Sequence, residues 1–184
     1  MTHSYEVVAS TTRFAGRIFD VVTDQVRMPD GGVAARDCVR HPGAVAVVAL
    51  DGDDRVLLIR QYRHPVGRSM WELPAGLRDV AGEDPQVTAA RELAEEVDLV
   101  AERWQPLLAL HPSPGCSDEL IQIFLARGLT AVDAEEQHSR TDEEADLQLR
   151  WVTLDHALAM ITAGEITNAT CVAGLYAAVR AGCS

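Results

Sequence analysis

The segment Arg91-Glu92-Leu93-Ala94-Glu95-Glu96-Val97 places glutamates at offsets of zero, three and four, the spacing that puts side chains on one face of a helix. At about 100° per residue, Glu92 and Glu96 lie only about 40° apart, while Ala90, Leu93, Ala94 and Val97 occupy another arc. Carboxylates this close repel one another unless a cation lies between them. Hard oxygen donors of this kind suit magnesium or manganese better than zinc. Arg91 and Glu95, one turn apart, can pair and hold the array in orientation. A row of glutamates is also how an ordinary solvated helix face looks, so the helix alone leaves both readings open.

The rest of the composition narrows the chemistry. Sixteen basic residues, all arginine, stand against 28 acidic ones, for a net charge of −12. Such a surface repels nucleic acid, and the absence of lysine excludes a P-loop lysine or a Schiff base. An anionic substrate would have to be held by metal and arginine. The histidines, His3, His41, His64, His111, His138 and His156, are dispersed, and no G-x-S-x-G elbow is present. Cys38, Cys116, Cys171 and Cys183 form no C-x-x-C pair and read as reduced, structural thiols. No apolar run is long enough for a membrane span and MTHSYEVVAS has no signal pattern, so the expected compartment is the cytoplasm.

The elements that must position the glutamates can be read from periodicity and turn residues. Asp84 as N-cap and Pro85 at the first position open a helix running to about Val97, with Val87, Ala90, Leu93, Ala94 and Val97 at helical spacing. Upstream, the apolar runs Gly43 to Leu50 and Arg55 to Tyr62, separated by Asp51-Gly52-Asp53-Asp54, read as a hairpin of central strands. Further strands are expected over Leu120 to Ala126 and Leu147 to Val152. The acidic stretch Arg127 to Asp146 between them reads as a lid or a disordered loop. Two helices close the chain, Asp155 to Ala163 and about Asn168 to Ala181, the second with Val172, Leu175, Tyr176 and Val179 on one face. Ahead of all this, YEVVAS, RIFDVV, QVRM and Val33 to Val39, with a PDGG turn, read as a small β unit.

Taken together, PAG, Glu83 and RELAEEVDL resemble the Nudix box, G-x5-E-x7-R-E-U-x-E-E-x-G-U with U a bulky aliphatic residue. Two positions depart from it. Six residues separate Gly76 from Glu83, and Asp98 stands where the second glycine belongs, at a helix end where a left-handed backbone is expected. The order RQYRH, WELPAG, box helix and SPGCSDE is similar to the ADP-ribose pyrophosphatase branch of that family. A proline about fifteen residues beyond the box marks ADP-ribose preference in the branch, and Pro114 lies fifteen residues past Leu99.

The resemblance implies an α/β fold, a Nudix-type α/β/α sandwich over residues 43–184, with a small antiparallel β appendage over residues 1–42 that pairs two subunits into a homodimer. It implies metal-dependent hydrolysis of ADP-ribose to AMP and ribose 5-phosphate, with Mg2+ or Mn2+ as cofactor and no nucleic-acid or membrane partner. The Ala75 carbonyl, Glu92 and Glu96 would be metal ligands, with Glu95 as a further ligand or outer partner. Arg63 would contact the diphosphate and Glu72 the substrate, with Gly115, Ser117 and Glu119 admitting and orienting a ribose or phosphate. DEEADLQLRW resembles the loop bearing the catalytic glutamate, which falls on Glu144, or on its neighbour Glu143, with Glu95 the next candidate. Two rivals stay open: another Nudix activity, on a nucleotide-sugar, a dinucleotide cofactor or a nucleoside triphosphate, and a sensor that binds ADP-ribose without hydrolysing it. The intact Arg91, Glu92, Glu95 and Glu96 speak against the sensor.

Overall fold

The computed structural model describes residues 4–133, 135, 138 and 146–183, which group into two compact units. The first comprises Met1–Gly43 with His111–Leu120, the second Ala44–Leu110 with Ile121–Ser184.

The first unit is an antiparallel sheet of β1 (Val7–Ala15), β2 (Asp20–Arg27) and β3 (Val33–Arg40), in that order. Sequence patterning breaks RIFDVV from QVRM, but the structure runs one strand through both. The interruption, Thr23-Asp24, is polar yet buried because its partners arrive from the neighbouring strands. Thr23 donates to Asp37 at 2.6 Å, while Asp24 accepts from Ser10 and from Arg40, each at 2.6 Å. The segment His111–Leu120 joins this unit through β3: Val39 N–H donates to the Cys116 carbonyl at 2.7 Å, and Asp118 takes the Arg40 guanidinium at 3.1 Å.

In the second unit, β4 (Ala44–Ala49), β7 (Ala75–Leu77), β8 (Leu99–Leu110) and β9 (Ile121–Ala131) form one sheet in the order β7-β4-β9-β8. Only β4 and β9 run parallel. A second, antiparallel sheet takes β5 (Arg55–Arg63), β6 (Arg68–Glu72) and β10 (Gln148–Thr153) in the order β10-β5-β6. The helices are α1 (Pro85–Val97), α2 (Leu154–Thr162) and α3 (Ala169–Arg180). Alternation along the strands makes two cores. Val45, Val47, Leu57 and Ile59 pack with Leu93 and Val97 of α1, while Ala46, Val48, Val56 and Leu58 pack with Met160 of α2 and Leu175 of α3. Helices therefore cover both faces of the β layer, as an α/β/α sandwich requires. No described helix is long and apolar enough to cross a membrane.

Four expectations need correction. The hairpin of β4 and β5 opens after a single bridge, Leu50 to Val56, and the two strands enter different sheets. Both runs are apolar because both faces of each are buried, a pattern that marks a central strand without naming its partner. The twelve-residue β8 has no alternating pattern in the sequence, being broken by Glu102, Arg103 and Pro106; it is a sheet edge, where proline is tolerated. On α1, Val87 is exposed, and Thr88 and Ala89 are buried in its place. On α3 the buried residues are Cys171, Gly174, Leu175 and Ala178, not Tyr176 or Val179. A side chain at Gly174 would meet Leu73 Cδ1 at 2.6 Å, so the small residues mark the face that packs most closely.

Candidate active site

The box helix is held in place at both ends. Asp84 caps it by accepting from Gln86 N–H at 2.8 Å, and Asp98 ends it in the left-handed conformation, with φ 55°. Leu93 and Val97 bury one side, while Glu92 and Glu96 reach β7. Glu96 is 4% exposed, and its carboxylate accepts from Ala75 N–H at 2.8 Å. The Glu92 carboxylate lies against the Cα of Gly76, in the space any side chain at position 76 would occupy. The box glycine is thus explained by close approach: only a residue without Cβ lets this carboxylate reach the strand.

Arg91 fans out among the acids. One guanidinium nitrogen donates to Glu92 at 2.9 Å and to Glu95 at 3.2 Å, and the other reaches Asp79 at 3.3 Å and Glu83 at 3.5 Å. Glu83 also accepts from the buried hydroxyl of Thr88 at 2.8 Å. Asp79 and Thr88 were not foreseen as part of this cluster, and only Glu83, eight residues ahead of Arg91, left a signal in the sequence. Burial works against the Arg91 charge, but Glu92, Glu95, Glu83 and Asp79 outweigh it and hold the guanidinium pKa above its ordinary value. Burial likewise pushes the Glu92 carboxyl above the usual carboxylate range, a shift that Arg91 opposes and Glu95 reinforces.

A carboxylate burdened in this way, with two more on the same helix face, is stabilised by a bound cation, and the all-oxygen donor set fits a hard divalent ion. Among the described residues, no three acidic, histidine or cysteine side chains are gathered into a ready-made cage. The fold supplies a face of clustered carboxylates.

At the end of β5, Arg63 grips Glu72 of β6 through both Nε and a terminal nitrogen, the shortest contact being 2.6 Å. Glu72 is 2% exposed, so its charge depends on partners of this kind. The structure therefore pairs two residues for which the sequence suggested separate contacts with substrate. Behind Glu72 lies Cys171, whose thiol burial and the Glu72 charge push well upward, in keeping with a structural role. Gly115, Ser117 and Glu119 belong to the first unit. Ser117 Oγ accepts from Glu119 N–H at 3.1 Å, and the Glu119 carboxylate stands 3.8 Å from His41 Nδ1. Nothing fills the space where a side chain at Gly115 would project. Glu143 and Glu144 lie outside the described residues.

Comparison with known proteins gives the family. The NUDIX domain model matches residues 40–173. Over 175 residues the chain is 48% identical to an ADP-ribose pyrophosphatase of Mycobacterium tuberculosis (strain ATCC 25618 / H37Rv), covering 95% of this chain and 83% of that protein. An ADP-ribose pyrophosphatase of Bacillus subtilis (strain 168) is 34% identical over 164 residues, covering 89% of this chain and 86% of its own. A crystal structure of an ADP compounds hydrolase superposes with a TM-score of 0.82, covering 99% of this chain and 95% of that one; at 23% identity it speaks for the fold.

Proposed function

Because this chain belongs to the Nudix family and is a Nudix hydrolase, we propose that it hydrolyses the diphosphate linkage of ADP-ribose, releasing AMP and ribose 5-phosphate. The observation that supports this most directly is the near full-length likeness to relatives named for that activity, together with an intact carboxylate helix. Glu92, Glu95 and Glu96, with the Ala75 carbonyl, would hold Mg2+ or Mn2+. When bound, the ion would supply positive charge to the diphosphate and lower the pKa of water. Gly76 and Arg91 keep Glu92 in its place, and Ala75 N–H does the same for Glu96. Arg63 is assigned to the diphosphate and Glu72 to orienting it; their bidentate contact pre-sets the guanidinium. Gly115, Ser117 and Glu119 are assigned to the ribose or phosphate, and Glu144, or Glu143, to taking a proton from the attacking water.

The test is metal-dependent turnover of a panel holding ADP-ribose, a nucleotide-sugar, NADH and a nucleoside triphosphate. ADP-ribose should give the highest kcat/KM, and exhaustive chelation should abolish activity. A nucleoside triphosphate preferred by about tenfold or more, a difference of about 1.4 kcal/mol in transition-state binding, would overturn the assignment. Binding of ADP-ribose without any turnover would instead favour a sensor.

We further propose that two copies pair through the first unit and that the protein works in the cytoplasm. All of β1 is exposed, including Val7, Val8 and Phe14, and Ile18, Phe19 and Val33 add to the apolar surface. All four cysteines carry free thiols, as is ordinary in a reducing compartment.

A further inference from the structure

Arg60 of β5 and Arg150 of β10 make no ion pair among the described residues. Instead, both guanidinium groups stand 5.9 Å from the ring centre of Trp71 on β6, and Arg150 also meets His156 Nε2 at 3.4 Å. Pairing registers fix where this cluster lies. Arg60 is opposite Trp71 and Gln148, and Tyr62 is opposite Ser69, whereas Ile59 is opposite Glu72 and Arg63 opposite Arg68. Side chains alternate along a strand, so Arg60, Tyr62, Ser69, Trp71, Gln148 and Arg150 lie on the face of the β10-β5-β6 sheet away from Arg63 and Glu72. Trp71 packs on the core shared with α2 and α3, not on the core of the box helix.

Beside the cluster is a cavity of about 360 Å3 lined by Arg60, Gln61, Tyr62, Ser69, Asp146 and Gln148. We propose that it is a second binding site, for a phosphate monoester bearing a planar base, of mononucleotide size. The Arg60 guanidinium, which lines the cavity, supplies charge-assisted donors for a phosphate. Tyr62, 44% exposed, offers a ring face for the base. Ser69 and Gln148 add neutral hydrogen-bonding groups, and the Asp146 carboxylate accepts from an exocyclic amine or a ribose hydroxyl. The volume lies within the usual range for small-molecule sites, about 300 to 1,000 Å3.

The experiment is calorimetric titration of the full chain, with metal chelated, by AMP, ribose 5-phosphate and adenosine. AMP should bind more tightly than either fragment, because it alone engages both the Arg60 guanidinium and the Tyr62 ring. Arg60→Gln should weaken AMP binding by about tenfold, the loss of one charge-assisted contact, with an unchanged melting temperature. Tyr62→Ala should weaken AMP but leave ribose 5-phosphate unaffected. Glu96→Gln, on the catalytic helix, should retain this binding. The proposal falls if AMP does not bind, if adenosine equals AMP, or if Arg60→Gln binds AMP within about twofold of the parent. Single variants keep the test open should a double one fail to fold.

Discussion

Gly76 is the residue through which the helix chemistry meets the main chain. Because the Glu92 carboxylate occupies the place of a Cβ, Gly76→Ala must drive it off the strand, while the rest of β7 keeps its pairing with β4. We expect turnover to fall by about 10²-fold, the order of loss for a misplacement of about 1 Å, with far-UV circular dichroism unchanged. Full activity in this variant would show that the observed Glu92 position is irrelevant to catalysis. In the proposed mechanism metal binding and proton transfer both fall to glutamates, and the two roles separate by mutation. Glu96→Gln keeps an oxygen to accept from Ala75 N–H and loses only charge, so metal affinity and turnover should drop together, with partial recovery at higher metal concentration. Glu144→Gln should leave metal affinity nearly intact, lower turnover by about 10² to 10⁴-fold and remove the acidic limb of the pH profile, without rescue by metal. Should Glu143→Gln be impaired instead, the loop is displaced by one residue; if neither change matters, Glu95 is the next base to test.

Among the elements, the turn between β4 and β5 decides how the two sheets part. Asp51 organises it, its carboxylate accepting from Asp53 N–H at 2.9 Å, from Arg55 N–H at 2.8 Å and from Arg55 Nε at 2.8 Å. Partial burial opposes its charge, but the Arg55 and Asp53 amides and the Arg55 guanidinium outweigh it and hold the carboxyl below the ordinary aspartate range. A folded-state pKa lower than the unfolded one adds stability that is present above the unfolded pKa, about 3.9, and lost as pH falls through the folded value. Asp51→Asn should therefore cost about 1 to 2 kcal/mol at pH near 7 and progressively less in acid, read as the gap in denaturation midpoints between variant and parent. A gap constant down to strongly acid pH would assign the loss to shape rather than charge. The box helix was legible in the sequence because its signals are local: Asp84, Pro85, and carboxylates one turn apart. The partners of β4 and β5 were not, since a strand buried on both faces carries no mark of its neighbour.

At the scale of the whole molecule, the first unit is three strands and a loop with one strand exposed along its length. A small sheet of this kind is marginal unless its apolar face is covered, and a second copy would supply the cover. Sedimentation should give about 40 kDa, twice the 20.0 kDa chain, and Phe14→Asp with Val7→Asp should shift the mass towards the monomer. Monomeric mass at micromolar concentration with full activity in the parent would overturn the dimer.

By itself the sequence determined the clustered carboxylate face, the helix that bears it, the Nudix resemblance and the left-handed helix end at Asp98. Each depends on residues within a few turns of one another, where backbone geometry converts spacing directly into position. Only tertiary structure decided that Gly76 receives the Glu92 carboxylate, that Thr88 and Asp79 join Glu83 around Arg91, and that Arg63 and Glu72 face each other. It also decided that Ser113 to Glu119 pack with the first unit and that Trp71 gathers Arg60 and Arg150. Those contacts join segments brought together by sheet pairing and burial, and the register that aligns them is set by the packing of the whole core rather than by any one stretch of chain.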